Sequence, residues 1–252
     1  MRILLLTLVL LGLAASAAHA KPVFTFSSAD CREVVMDVPV ADPERLRREL
    51  PPGWELRPTF TQRFGIYVTI VECATLNADG VRVPSAGFAD VVTTAEPPNG
   101  GDDVAYLLRS WSDHPQHVRG MRRAGVRGGA APMLSAVLDE PGGVAVGGRA
   151  ALGTADGGAY AIDMPGGPLA VLPFFASDGF TVGAEGPAGR VRLIYELLDT
   201  RVAFGPATFT ASPGSDLAEL VGATTVRGVG NIGRYGISHT VTADRPLPPE
   251  EG

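Results

Sequence analysis

The sequence predicts an α+β protein dominated by antiparallel β-structure, with few short helices. Three observations carry this. Beyond its opening segment the chain is a succession of short apolar, β-branched stretches, recurring roughly every ten residues between glycine- and proline-rich breaks, the rhythm of a closed or sandwiched antiparallel sheet. Paired helix start and stop signals are clear in two short places. No period of fixed length recurs, which argues against a solenoid.

Lys21 to Val40 reads as extended, with VFTF and REVVMDVPV rich in β-branched residues. Asp42-Pro43-Glu44 then starts a helix. Asp42 is placed to cap it, Pro43 fits the first helical position, and Glu44 puts negative charge at the positive end of the helix dipole. Leu46 and Leu50 share one face and Pro51-Pro52-Gly53 stops the element. GIYVTIVECATL alternates as a strand, with Ile66, Val68, Ile70 and Glu72 on one face and Tyr67, Thr69, Val71 and Cys73 on the other. Asn77-Ala78-Asp79-Gly80 is a turn signal, and strands follow through Val81 and from Gly87 to Thr94. After Pro97–Gly101 an apolar run, Val104 to Leu108, leads into SWSDHPQHVRGMRRAGVRGGAAP. The remaining strand candidates are MLSAVL, VAVGGRAAL, AYAIDM, LAVLPFF, GFTVGA, RVRLIYELL, RVAFGPATFTA and ATTVRGVG. LAELVG forms one helical turn closed by Gly222. No linker divides the chain, so residues 21–244 read as a single domain, and the polar, proline-rich 245–252 as a disordered tail.

Residues 1–20 read as a secretory signal peptide. Arg2 precedes a short apolar run, and Ala18 and Ala20 occupy the small-residue positions before the cut. The expected location is therefore secreted or periplasmic, with no membrane attachment after cleavage. A formal net charge of −6 disfavours nucleic acid as a partner, since phosphate binding needs a basic field. The export signal favours a Cys31–Cys73 disulfide; two buried free thiols are the alternative. Of the 21 basic residues, Lys21 is the one lysine. Schiff-base chemistry requires a primary amine, and a guanidinium cannot supply it.

Four segments in order resemble the acetoacetate decarboxylase-like family. They are Cys31-Arg32-Glu33-Val34-Val35 with ADPERLRRELPPGWEL, Gly87-Phe88-Ala89-Asp90-Val91-Val92, the passage Asp113-x-Pro115, Gly120 and Gly125, and more weakly GPATFTASPGSDLAELVGATTVRGVG. The resemblance spans Cys31 to about Thr242 and implies that family's β-barrel. It places Arg32 on a pocket arginine and Asp90 on a pocket glutamate. Met121 and Arg122 fall on an Arg-Glu pair, and Gly128 and Gly129 on the paired lysines, one of which forms the Schiff base. Schiff-base decarboxylation cannot run through glycine, so the resemblance implies a divergent member, a pseudoenzyme in that respect.

Several residues carry alternative readings of their own. Arg32 with Asp90 can be a ligand-binding pair or a structural ion pair. Glu72 can be a buried carboxylate of raised pKa or a strand-end residue reaching solvent. Asp113, His114 and His117 invite a metal, but Pro115 intervenes and an exposed helix start explains Asp-x-Pro equally well, so no metal is expected. Gly128 and Gly129 can line a ligand pocket or form a flexible turn. His239 reads as a surface strand residue, and no serine has a triad context. The sequence thus favours an exported protein that binds a small apolar or carboxylate-bearing molecule in a barrel pocket. It calls for no cofactor and leaves room for a homo-oligomer. One alternative is a lysine-independent lyase or hydrolase using Asp90 or Glu72 with Arg32; another is a non-catalytic structural or interaction protein.

Overall fold

The computed structural model describes residues 22–98, 104–141, 146–165, 170–173, 181–186 and 189–243. The signal peptide expected over 1–20 and the tail expected over 245–252 lie outside them, as does the His239 side chain. The chain begins with β1 (Pro22–Pro39), α1 (Pro43–Glu49), β2 (Glu55–Leu56), β3 (Gly65–Ala78), β4 (Val81–Glu96) and β5 (Val104–Ser112). Then come α2 (Pro115–Arg123), β6 (Gly128–Ala130), β7 (Met133–Asp139), β8 (Gly147–Gly153) and β9 (Ala159–Met164). The last elements are β10 (Ala170–Pro173), β11 (Thr181–Gly186), β12 (Gly189–Ala211), α3 (Asp216–Val221) and β13 (Thr225–Ala243). Among the described residues no helix is long and apolar enough to cross a membrane.

The strands form one sheet in the order β11-β5-β4-β3-β1-β13-β12-β9-β8-β7. Nearly all pairings are antiparallel, as predicted; β5 pairs in parallel with β6 and β11. The expected barrel needs correction. The order has two ends, β11 and β7, and although β11 also pairs β12, its link to β5 is confined to Val182–Ala105 and Gly183–Tyr106. The structure is a continuous curved sheet, not a simple closed barrel.

Alternation assigns the two faces. Val34, Ile70, Ala89 and Trp111 stand in register across β1, β3, β4 and β5, all buried. With Leu152, Tyr160, Ile162 and Phe209 from the rest of the sheet they form the main core on the inner face. α1 and α3 close one end of this core through Leu46, Leu50, Leu217, Leu220 and Val221. α1 forms as the sequence predicts. Asp42 accepts the Glu44 N–H at 3.1 Å and Pro43 opens the helix, a cap that stabilises it by about 1 kcal/mol. Gly222 ends α3 with φ +82°, the left-handed conformation glycine adopts without strain.

On the outer face a second, smaller core gathers Phe26, Cys31, Val71, Cys73, Phe88 and Leu107 beneath Met121 of α2. The Cys31–Cys73 disulfide crosses directly between β1 and β3 there. Closing a loop of 42 residues stabilises the fold by about 3–4 kcal/mol in the chain-entropy model.

Candidate functional site

Arg32 and Glu72 are direct cross-strand neighbours on β1 and β3, and both continue the inner face set by Val34 and Ile70. They stand at the end of that face away from α1 and α3. Asp90 lies elsewhere. Its register partners are Thr69 on β3 and Ser110 on β5, in the row that contains Val35, so it projects from the outer face. It is 3% exposed, on the side of Phe88 and the α2 core. The sheet therefore separates Asp90 from Arg32 and Glu72.

Around Arg32 the charges are unequally satisfied. Its neighbour on β13, Arg234, meets Asp30 at 3.1 Å and Glu140 at 3.5 Å. Glu72 Oε2 accepts the Ala136 N–H at 2.9 Å, an N–H on the edge of β7 turned away from β8. That strand continues to Ala78, so Glu72 is half-buried within it rather than at a strand end. Among the described residues no hydrogen bond or ion pair reaches the exposed Arg32 guanidinium.

Gly128 and Gly129 lie on β6, paired with Ser110 and Trp111. Neither sits in a flexible turn. Gly128 has φ +134°, and a Cβ placed on it would fall 1.7 Å from the Ser110 carbonyl oxygen. A side chain is therefore excluded there by both conformation and space. Gly129 is different: within 4 Å its Cβ would meet Arg122 Nη2 alone, at 3.3 Å. Arg122 projects from the exposed side of α2, so a guanidinium stands beside the one glycine of the pair that leaves room for a side chain.

The Asp113–His117 passage is a helix start, exposed at Asp113 and Pro115 as expected, with the His114 and His117 side chains turned inward and buried. The His114 ring accepts the Gln116 N–H at Nδ1 and meets the Val81 carbonyl through Nε2 at 3.0 Å, so it is held on both sides. Asp113 Oδ1 accepts the Gly87 N–H at 2.9 Å, and partial desolvation of this otherwise exposed carboxylate raises its pKa above the usual value. His117 is 1% exposed, edge-on to Phe26 at 4.7 Å and stacked on Phe88 at 5.6 Å. Burial, aided by His114, lowers its pKa from 6.5 to about 3. Among the described residues no group of three or more His, Cys, Asp or Glu side chains is placed to hold a metal ion.

One charged group was not singled out from sequence. Arg109, on the inner face of β5, is buried and donates to Asp216 of α3 through Nε at 2.6 Å and Nη2 at 3.2 Å. Its Nη1 reaches Glu49 of α1 at 2.9 Å, and Arg127 reaches the same carboxylate oxygen. Burial works against the Arg109 charge, but the bonds to Asp216 and Glu49 outweigh it and raise its pKa. Parity alone did not place it: Arg109 is in line with Trp111 of the main core but also with Leu107 of the smaller one, because a register shift interrupts β5 between Leu107 and Arg109.

No known family's sequence pattern matches the chain, and no curated protein matches it in sequence. Solved structures do. The enduracididine biosynthesis enzyme MppR complexed with pyruvate matches with a TM-score of 0.58 at 16% identity, over 90% of this chain and 91% of that one. Acetoacetate decarboxylase from Legionella pneumophila matches with 0.58 at 12% identity, over 96% of each chain. An acetoacetate decarboxylase-like enzyme from Sphingomonas wittichii RW1 matches with 0.56 at 14% identity, over 90% of this chain and 95% of that one. At these identities the likeness establishes the fold, which is that of acetoacetate decarboxylase and its structural relatives.

Proposed function

We propose that the chain is an exported small-molecule-binding protein on an acetoacetate decarboxylase-like fold, without Schiff-base chemistry, and that Arg32 receives the carboxylate of its ligand. The observation that carries the loss of amine chemistry is Gly128, where backbone conformation and the Ser110 carbonyl exclude any side chain. Gly129 could accept one but carries none. The single lysine of the sequence, Lys21, lies outside the described residues.

Arg32 supports the ligand reading. Among the described residues it is an inner-face cation with no ion pair or hydrogen bond, while its neighbours Arg234 and Glu72 have partners, and an arginine fork matches a carboxylate in two hydrogen bonds. MppR is complexed with pyruvate, a small carboxylate, in the related structure. An acid–base enzyme using Asp90 with Arg32 finds less support, because the sheet stands between the two residues.

The test combines calorimetry with borohydride trapping, using pyruvate and acetoacetate as probes. Saturable binding, no covalent adduct after reduction, and loss of binding in Arg32→Gln are expected. A covalent adduct, absence of binding, or full binding by Arg32→Gln would overturn the reading.

A further inference from the structure

A concave site lies at the opposite end of the inner face from Arg32, where α1 and α3 meet. It is a cleft of about 410 Å³ lined by Arg45, Arg48, Glu49, Asp216, Glu219 and Leu220. That volume lies within the range of about 300–1,000 Å³ typical of small-molecule sites.

Three of its five charged side chains are already committed. Glu49 accepts from Arg109 and Arg127. Asp216 is held by two nitrogens of Arg109. Arg45 bonds the Glu219 backbone carbonyl and stands 3.8 Å from Asp42. This leaves Arg48 on α1 and the Glu219 carboxylate on α3. Both are exposed, both line the cleft, and neither takes part in an ion pair or side-chain hydrogen bond among the described residues, including with the other. A guanidinium and a carboxylate that share a cleft without neutralising each other present two charge-assisted sites of opposite sign. Leu220, a residue of the main core, is the apolar member of the lining. Arg109 holds both helices from beneath, so the walls are positioned before any ligand arrives, which reduces the ordering cost of binding.

We propose that this cleft binds a small zwitterion of the α-amino-acid class, with its carboxylate on Arg48, its ammonium on Glu219 and an apolar side chain against Leu220. A mono-anion meets Arg48 alone and a mono-cation Glu219 alone, whereas a zwitterion engages both charges at once and binds more tightly than either. This site is independent of Arg32 and of the reading built on it.

Calorimetric titration of the full mature chain with L-leucine tests the proposal, alongside 4-methylpentanoate and isopentylamine, which each carry one of its charges. Saturable leucine binding is expected, with both analogues weaker by about tenfold or more. Arg48→Gln and Glu219→Gln should each weaken leucine by a similar factor with an unchanged thermal midpoint, since both side chains are exposed. Arg32→Gln should bind leucine as the unmodified chain does. Absence of saturable leucine binding, equal binding of an analogue, retained affinity in Arg48→Gln or Glu219→Gln, or loss of leucine binding in Arg32→Gln would each overturn it.

Discussion

Glu72 Oε2 accepts the backbone N–H of Ala136 at 2.9 Å, which makes the carboxylate a cap on the open edge of β7. An unpaired strand edge exposes a row of donors and acceptors, and here one donor is satisfied across the fold by a side chain of β3. Glu72→Ala should lower stability by about 1.5–3 kcal/mol, the range for a hydrogen bond to a charged group. Glu72→Gln keeps an accepting oxygen and should lose roughly half as much. Urea unfolding of both variants checks this; an alanine variant as stable as the parent would refute the capping role.

The two adjacent glycines should respond very differently to the same added methyl. Gly128→Ala puts a carbon into the Ser110 carbonyl in an unfavourable backbone region and should cost more than about 3 kcal/mol or prevent folding. Gly129→Ala need only displace the flexible tip of Arg122, and should stay within about 1 kcal/mol of the parent. Soluble yield and thermal melting of the two variants are sufficient readouts.

His117 predicts a specific acid sensitivity. Its pKa is lowered on folding, so below the unfolded value of 6.5 the unfolded chain takes up a proton that the folded chain refuses. The stability associated with the neutral ring is fully present above pH 6.5 and is lost as pH falls toward about 3, at no more than about 1.4 kcal/mol per pH unit. His117→Phe keeps an aromatic ring between Phe26 and Phe88. Urea midpoints measured from pH 7 to pH 4 should fall less steeply in this variant; parallel slopes would show that His117 does not titrate as described.

Arg109 joins β5 to both helices, and Arg109→Met should loosen that end of the core. Removing one partner of a fully buried ion pair costs about 3–5 kcal/mol. Here the Asp216 side chain is 46% exposed and can rehydrate, so a smaller loss of about 2–3 kcal/mol is expected. Arg109→Lys, which cannot reach Glu49 and Asp216 together through a planar fork, should recover only part of it. Hydrogen exchange in α1 and α3 would place the loss at that end of the fold.

What could be read in the sequence was what is decided locally. Asp42-Pro43 capped a helix as expected, Asp79-Gly80 turned the chain with φ +48° and +81°, and Gly222 closed α3. Longer strands were less legible. The strand through Val81 and that from Gly87 to Thr94 read as separate, yet β4 runs unbroken through Pro84 and Ser85, the latter at φ +49°. RVRLIYELL and RVAFGPATFTA likewise join into β12, which absorbs a register shift between Leu198 and Arg201. The separation of Arg32 from Asp90 depends on pairing between β1, β3 and β4, and no local pattern states which pleat faces which core. Glu72 was legible by parity and illegible by partner, because Ala136 lies 64 residues away. The glycines at 128 and 129 stood out as missing chemistry, whereas their unequal tolerance of a side chain is set by strand β5.

The central place of β1 bears on how the protein reaches its native state. One edge pairs with β3, close in sequence, but the other pairs with β13; Arg234 reaches Asp30 across a separation of 204 residues. Until the C-terminal strand arrives, the middle of the sheet is an unsatisfied edge, and the loop that must close is nearly the whole described chain. Contacts of such high order slow folding and prolong exposure to unwanted strand pairing. The early partnership of β1 with β3, fastened at Cys31 and Cys73, therefore holds a template whose completion waits on the last strand.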